Sequence, residues 1–208
     1  MPRGTRRFLR SGDLPENEQA TRIMGVDPGI VATGFGVIEI GGNGLILYRG
    51  SGVLRPPRLQ SFPQRIQQIF RGLCQQIENF APQLMAVERP FYAKNVKSAM
   101  LLGQARGVAI LAAAESGVEV QEYSPLEVKQ AVVGYGRAAK NQVQTMIRSL
   151  LHTPKNITTD AADALAVALC LAHSLPWQNS LKAVGPKRAF SGIRCPVRGQ
   201  NFDLGESR

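Results

Sequence analysis

Arg22-Ile23-Met24-Gly25-Val26-Asp27-Pro28-Gly29, with Thr33-Gly34-Phe35-Gly36-Val37-Ile38-Glu39-Ile40 and the turn Gly41-Gly42-Asn43-Gly44 behind it, is the stretch that decides the fold. Arg22 to Asp27 reads as a short buried strand that Pro28-Gly29 breaks. Thr33 to Ile40 alternates as a second strand. The glycine-rich turn then returns the chain into a third, Leu45 to Leu54. Three antiparallel strands therefore open the domain, and the first ends on a carboxylate, Asp27.

Downstream, the period changes. Ile66, Ile69, Phe70, Leu73 and Ile77 recur at helical spacing within Ser61 to Phe80, and Pro82 closes that helix. Leu84 to Val87 is a fourth strand, apolar on both faces, and it delivers Glu88. A long helix is expected from Asn95 to Ser116, with Gly103, Ala105, Gly107 and Ala109 allowing close packing. Val118 to Tyr123 is the fifth strand. Ser124-Pro125-Leu126-Glu127 is a helix start, with a serine cap, proline in first position and glutamate three residues on. That helix runs to about Val133, and Gly134-Tyr135-Gly136 forms a loop. Another helix covers roughly 139–152. Thr158 or Thr159 caps a final helix to about Ser174. Strands first, then strands alternating with helices, give an α/β domain around a mixed five-stranded sheet flanked by helices. In such sheets the active site lies at the carboxyl ends of the strands, where Asp27 and Glu88 both stand.

The final helix contains Thr158-Thr159-Asp160-Ala161-Ala162-Asp163-Ala164-Leu165-Ala166. Two carboxylates three residues apart share a helix face, beside an otherwise apolar run. Mutual repulsion and desolvation both disfavour that arrangement, and a bound cation relieves both. With Asp27 and Glu88 they make four hard oxygen donors, a set that suits Mg²⁺ better than zinc and fits two-ion phosphodiester hydrolysis. Each acid has a plainer role available: Asp27 in a turn, Glu88 in a loop, Asp160 at a helix dipole. Asp163, set among apolar residues, is hardest to explain that way. His152 and His173 sit near helix ends and read as structural.

The loop after Glu88, Arg89-Pro90-Phe91-Tyr92-Ala93-Lys94-Asn95, places aromatics between basic residues beside an acid. Base stacking by Phe91 with phosphate contact by Lys94 is one reading; a staple with Phe91 packed inward is the other. Lys129, Arg137 and Lys140 flank Gly134-Tyr135-Gly136 as a track for a phosphate backbone, or as a solvated basic face. Lys140 also suits charge stabilisation at a scissile phosphate.

The formal charge of +10 comes from 25 basic and 15 acidic residues, and its distribution says more than its sum. Residues 23–181 carry fourteen basic and ten acidic residues, and four of those ten acids are the proposed ligands. Once they are neutralised, the body is distinctly basic, which favours a polyanionic substrate, nucleic acid first. Cys74, Cys170 and Cys195 give an odd count with no pairing pattern, pointing to a reducing cytoplasm. The arginine-rich start lacks the apolar run of a secretory signal, and Ala161 to Ala172 is too short to span a bilayer. No membrane association is expected. Residues 1–21 are expected to be a disordered extension, 22–174 the domain, and 175–208 a basic flexible tail.

Five ordered blocks resemble the RuvC family of Holliday-junction resolvases. They are Gly25-Val26-Asp27-Pro28-Gly29 with Thr33-Gly34-Phe35-Gly36-Val37; Ala86-Val87-Glu88 with Phe91 and Ala93-Lys94-Asn95; Leu102-Gly103-Gln104-Ala105-Arg106-Gly107; Val128-Lys129-Gln130 with Val132-Val133-Gly134 and Gly136; and Asp160-Ala161-Ala162-Asp163-Ala164-Leu165-Ala166. The resemblance implies a ribonuclease-H-like fold and a homodimer that makes paired symmetric nicks in four-way DNA junctions, leaving 5′-phosphate and 3′-hydroxyl ends. It implies Mg²⁺ or Mn²⁺ as cofactor, with Asp27, Glu88, Asp160 and Asp163 as the metal-binding catalytic acids. It makes Phe91 the residue that stacks near the crossover, and Lys129 and Lys140 phosphate contacts. Its usual partner is a hexameric branch-migration motor with a junction-binding tetramer. Asp27-Pro28-Gly29 with Thr33-Gly34 also resembles the phosphate hairpin of actin-like ATPases, but those need two such domains, and this chain is too short. A non-catalytic junction-binding scaffold is a further alternative, against which the presence of all four acids argues.

Overall fold

The computed structural model describes residues 20–89 and 96–175. Its first strand, β1 (Thr21–Asp27), pairs antiparallel with β2 (Thr33–Ile40), and β2 pairs antiparallel with β3 (Ile46–Leu54). Gly44, at φ 83°, turns the chain between β2 and β3. The link between β1 and β2 is closed by Thr33, wholly buried, whose hydroxyl donates to the Gly29 carbonyl at 2.7 Å. Helix α1 (Phe62–Phe80) then crosses to β4 (Leu84–Glu88), which lies parallel to β1. Helix α2 (Val96–Glu115) leads to β5 (Glu119–Tyr123), parallel to β4. Helices α3 (Pro125–Val133), α4 (Lys140–Leu151) and α5 (Thr159–Ser174) complete the order. The sheet runs β3-β2-β1-β4-β5, the mixed five-stranded, ribonuclease-H-like arrangement expected from the sequence.

Element boundaries agree with the sequence reading to within one or two residues. Two edges of the domain move outward. Thr21 is buried in β1, and Leu175 packs against the core, so both belong to the folded body rather than to the loose ends expected there.

The pleat sorts the core into two faces. Met24, Val26, Val37, Met85 and Val87 pack against α1 and α2. Ile23, Ile38, Leu84 and Ala86 pack against α3, α4 and α5. Helix α5 is the central element of that second face, with eleven of its sixteen residues buried. It lies directly on glycines. A Cβ at Gly25 would stand 2.0 Å from the Ala164 carbonyl oxygen, and one at Gly36 would stand 2.5 Å from Leu165 Cγ. Glycine on the sheet and alanine on the helix bring the two backbones together.

One packing expectation is corrected. Ala105 and Ala109 are buried, but a Cβ on Gly103 or Gly107 would meet nothing within 4 Å. The two glycines face outward on α2, while the alanines face in. Among the described residues α2 is also the one helix long and apolar enough, by length and composition, to cross a membrane, yet it is docked on α1 and the sheet.

Candidate active site

Alternation along β1 places residues 23, 25 and 27 on one face, the face that carries α5. The same parity on β4 gives 84, 86 and 88. Asp27 and Glu88 therefore end neighbouring parallel strands, in register through Val26 and Val87, with both side chains turned toward α5. Thr158 caps α5, accepting from the Ala161 N–H at 3.4 Å, so Asp160 and Asp163 sit in the first helical turns. The helix dipole favours carboxylates there. The Asp160 backbone rests against Gly34, whose register partner is Asp27.

These elements bring the acids into electrostatic contact. Burial pushes the Asp27 carboxyl up to about 7, with the charges of Glu88, Asp163 and, last, Asp160 acting in the same direction against Lys140. Glu88 is raised as well, first by burial and then by Asp163. Lys140 Nζ lies 2.5 Å from Asp163 Oδ2. Burial lowers the Lys140 pKa, but its bond to Asp163 and the surrounding carboxylates outweigh that and hold it above the usual value. Arg55 Nη2 pairs with Asp160 Oδ2 at 3.0 Å.

Asp27, Glu88 and Asp163 thus form the inner group, and Asp160 stands at its edge. As the side chains stand, no three of the described His, Cys, Asp and Glu residues close around one point as a metal cage. Lys140 and Arg55 hold the two helix acids. The donor set still fits a hard divalent cation. All four groups present carboxylate oxygens, and a cation relieves the repulsion that raises Asp27 and Glu88.

The residues expected to contact DNA fall into three groups. Lys140 is at the acids, and Lys129 is near enough to lower Glu88. Arg137 lies in the α3–α4 connection with no ion pair among the described residues. Phe91 and Lys94 lie outside the described residues. The histidines are structural, as expected: His173 Nδ1 is 3.0 Å from the Ala131 carbonyl oxygen, and His152 terminates α4 in a left-handed conformation. Cys74 and Cys170 are buried, and neither forms a disulfide.

Sequence reading missed Arg55. The hairpin alone brings the end of β3 back beside Thr33, but the bulge at Val37/Ile38, which sets Leu54 opposite Thr33, has no sequence signal; the next residue then emerges at the same sheet end as Asp27.

Comparison with known proteins agrees with this geometry. The family described as "Crossover junction endodeoxyribonuclease RuvC" matches residues 23–171. A protein of that name from Geobacter metallireducens is 47% identical over 163 residues, 78% of this chain and 99% of its own length. One from Shewanella frigidimarina is 52% identical over 165 residues, 79% of this chain and 92% of its own length. Among solved structures, Thermus thermophilus RuvC in complex with Holliday junction substrate superposes with a TM-score of 0.68 at 33% identity, covering 72% of this chain and 92% of that one. A yeast mitochondrial Holliday junction resolvase shares the fold, with a TM-score of 0.56 at 16% identity. With the matched region spanning nearly all of the described domain and the acids at its strand ends, the chain belongs to the RuvC family of crossover junction endodeoxyribonucleases.

Proposed function

We infer that this protein resolves four-way DNA junctions by paired symmetric nicks, using Asp27, Glu88, Asp160 and Asp163 to hold divalent metal, two Mg²⁺ ions per site with Mn²⁺ as a substitute. The observation that carries this is the acid group itself. Two strand-end carboxylates face a helix bearing two more, in an arrangement so charged and so enclosed that Asp27 is driven up to about 7. Bound ions would supply an activated water and charge stabilisation at the leaving oxygen. The chain's own contribution is rigidity: the ends of two inner strands and a glycine-seated helix fix the ligands. Lys140, exposed apart from its bond to Asp163, and Lys129 supply positive charge for the scissile strand. Arg137 and Lys94 extend the phosphate contacts, and Phe91 stacks on a base near the crossover.

A homodimer follows from the substrate's near two-fold symmetry. The surface that fits a second copy is the outer face of α2. Val96, Met100 and Leu111 are exposed there (76%, 61% and 50%), with Gly103 and Gly107 between them. The face is uncharged and helically spaced, and the glycines let a second backbone approach. A branch-migration motor with its junction-binding tetramer, acting in a reducing cytoplasm, completes the proposed setting; the two buried cysteines outside any disulfide accord with it.

The test uses a synthetic four-way junction and a matched linear duplex, each with Mg²⁺ or EDTA, with wild type beside Asp27→Asn. Paired nicks confined to the junction, dependent on metal and abolished in the variant, are expected. Binding without nicking across several junction sequences, with Mn²⁺ as well, would make the protein a scaffold and withdraw the catalytic assignment.

A further inference from the structure

Two long stretches without a single acid approach the active site from opposite flanks. Between Glu127 and Asp160 the charged residues are Lys129, Arg137, Lys140, Arg148 and Lys155. Between Glu39 and Glu78 they are Arg49, Arg55, Arg58, Arg65 and Arg71. Each stretch sends one cation to α5: Lys140 to Asp163 from the α4 side, and Arg55 to Asp160 from the end of β3.

Within the second stretch the arginines divide by their partners. Arg49 joins Arg22 on the buried carboxylate of Glu39. Arg65 donates to the Ile30 carbonyl at 2.6 Å and ties α1 to the β1–β2 loop. Both are structural. Arg55 and Arg58 are exposed, on the connection Arg55-Pro56-Pro57-Arg58-Leu59-Gln60. Arg58 has no ion pair or hydrogen bond among the described residues. Leu59 beside it is fully in solvent. Two prolines stiffen the loop, and a turn closes it where the Gln60 N–H donates to the Pro57 carbonyl at 3.1 Å. A stiff loop projecting two guanidinium groups beside an acidic site makes little sense as a solvated surface. It makes sense against phosphate, which arginine binds in a planar fork.

We propose that the β3–α1 connection is a second phosphate-gripping jaw, in which Arg55 and Arg58 contact the DNA backbone across the acids from Lys129 and Lys140. Arg55 stands on Asp160 in the DNA-free protein and exchanges that carboxylate for a phosphate when DNA is bound. This jaw rests on the junction-resolvase reading.

The test measures binding of the full-length protein to a synthetic four-way junction in EDTA, titrating potassium chloride. Removing one phosphate-binding cation makes the plot of log affinity against log salt shallower by about 0.9. Arg55→Gln with Arg58→Gln is expected to flatten it by about 1.8 and to weaken binding at low salt, with an unchanged melting temperature. Arg58→Gln alone, at a site with no partner among the described residues, is expected to flatten it by about 0.9. Lysines at both positions should keep the slope. An unchanged slope in the double and single glutamine variants overturns the jaw while leaving the parent reading intact. A lysine pair that fails as badly as the glutamines overturns it too, because charge is then not what the loop supplies. A wild-type protein without junction affinity overturns both readings together.

Discussion

The carbonyl oxygen of Asp160 lies 2.1 Å from where a Cβ on Gly34 would stand. No side chain fits there, because the obstacle is the backbone of the helix that carries two of the four acids. Gly34 is itself the register partner of Asp27, so one missing methyl sets the distance between the strand-end acid and the helix acids. Gly34→Ala should therefore push the start of α5 away from the sheet. The expected loss is about 1–3 kcal/mol of stability, read by denaturant unfolding, with junction cleavage falling far more than junction binding. An alanine variant with normal cleavage would show that α5 need not touch the sheet there.

Asp27 titrates from a folded value of about 7 against 3.8 when unperturbed. Between those values the folded state keeps a proton that the unfolded state has released, so this group's contribution to stability falls as pH rises across that window. The full effect is at most about 4 kcal/mol, and the raised Glu88 acts with the same sign. Metal-free protein should thus melt lower at pH 8 than at pH 5, Asp27→Asn should flatten that dependence, and Mg²⁺ should raise the wild-type melting temperature at pH 8. Thermal scans in EDTA and in Mg²⁺ check each part. A metal-free wild type that melts higher at pH 8 would show that Asp27 is not buried among carboxylates.

Asp163→Asn removes a charge without changing shape, and it frees Lys140 from its closest partner. Junction cleavage should fall by about 100- to 1,000-fold or more, while junction binding is kept or strengthened, because a released ammonium is available to phosphate. Single-turnover cleavage and gel-shift titration separate the two. Near wild-type cleavage would remove Asp163 from the acid set.

On α2, Leu111→Arg places a charge in the exposed apolar face without touching the buried alanines on the opposite side. Analytical ultracentrifugation should show a dimer for wild type and a monomer for the variant. A variant that stays dimeric would move the interface to another surface.

Most of the architecture is legible in the residues. Asp27-Pro28-Gly29 ends a strand because proline and glycine cannot extend it, and the glycine turn at 41–44 fixes the hairpin that follows. Ser124 and Glu127 announce α3 and then form the reciprocal cap, with the Ser124 N–H donating to Glu127 at 2.7 Å. These are local interactions, complete within a few residues. Gly103 and Gly107 defeat the expectation of close packing because they face outward on α2, where a Cβ would meet nothing within 4 Å. Small residues signal close approach, but a single chain does not say whether the approaching surface is its own or another's.

The sequence alone determined the element order, the four acids and their residue types, since periodicity, caps and strand breaks are short-range and the family blocks are contiguous. Only the tertiary structure decided which acids group most tightly. Pleat parity turns Asp27 and Glu88 toward α5, and Gly25, Gly34 and Gly36 seat that helix on the sheet. It also decided which cations reach the site: Arg55 and Asp160 are 105 residues apart in sequence yet 3.0 Å apart in space. That pairing depends on antiparallel register and helix placement together, and no local pattern encodes it.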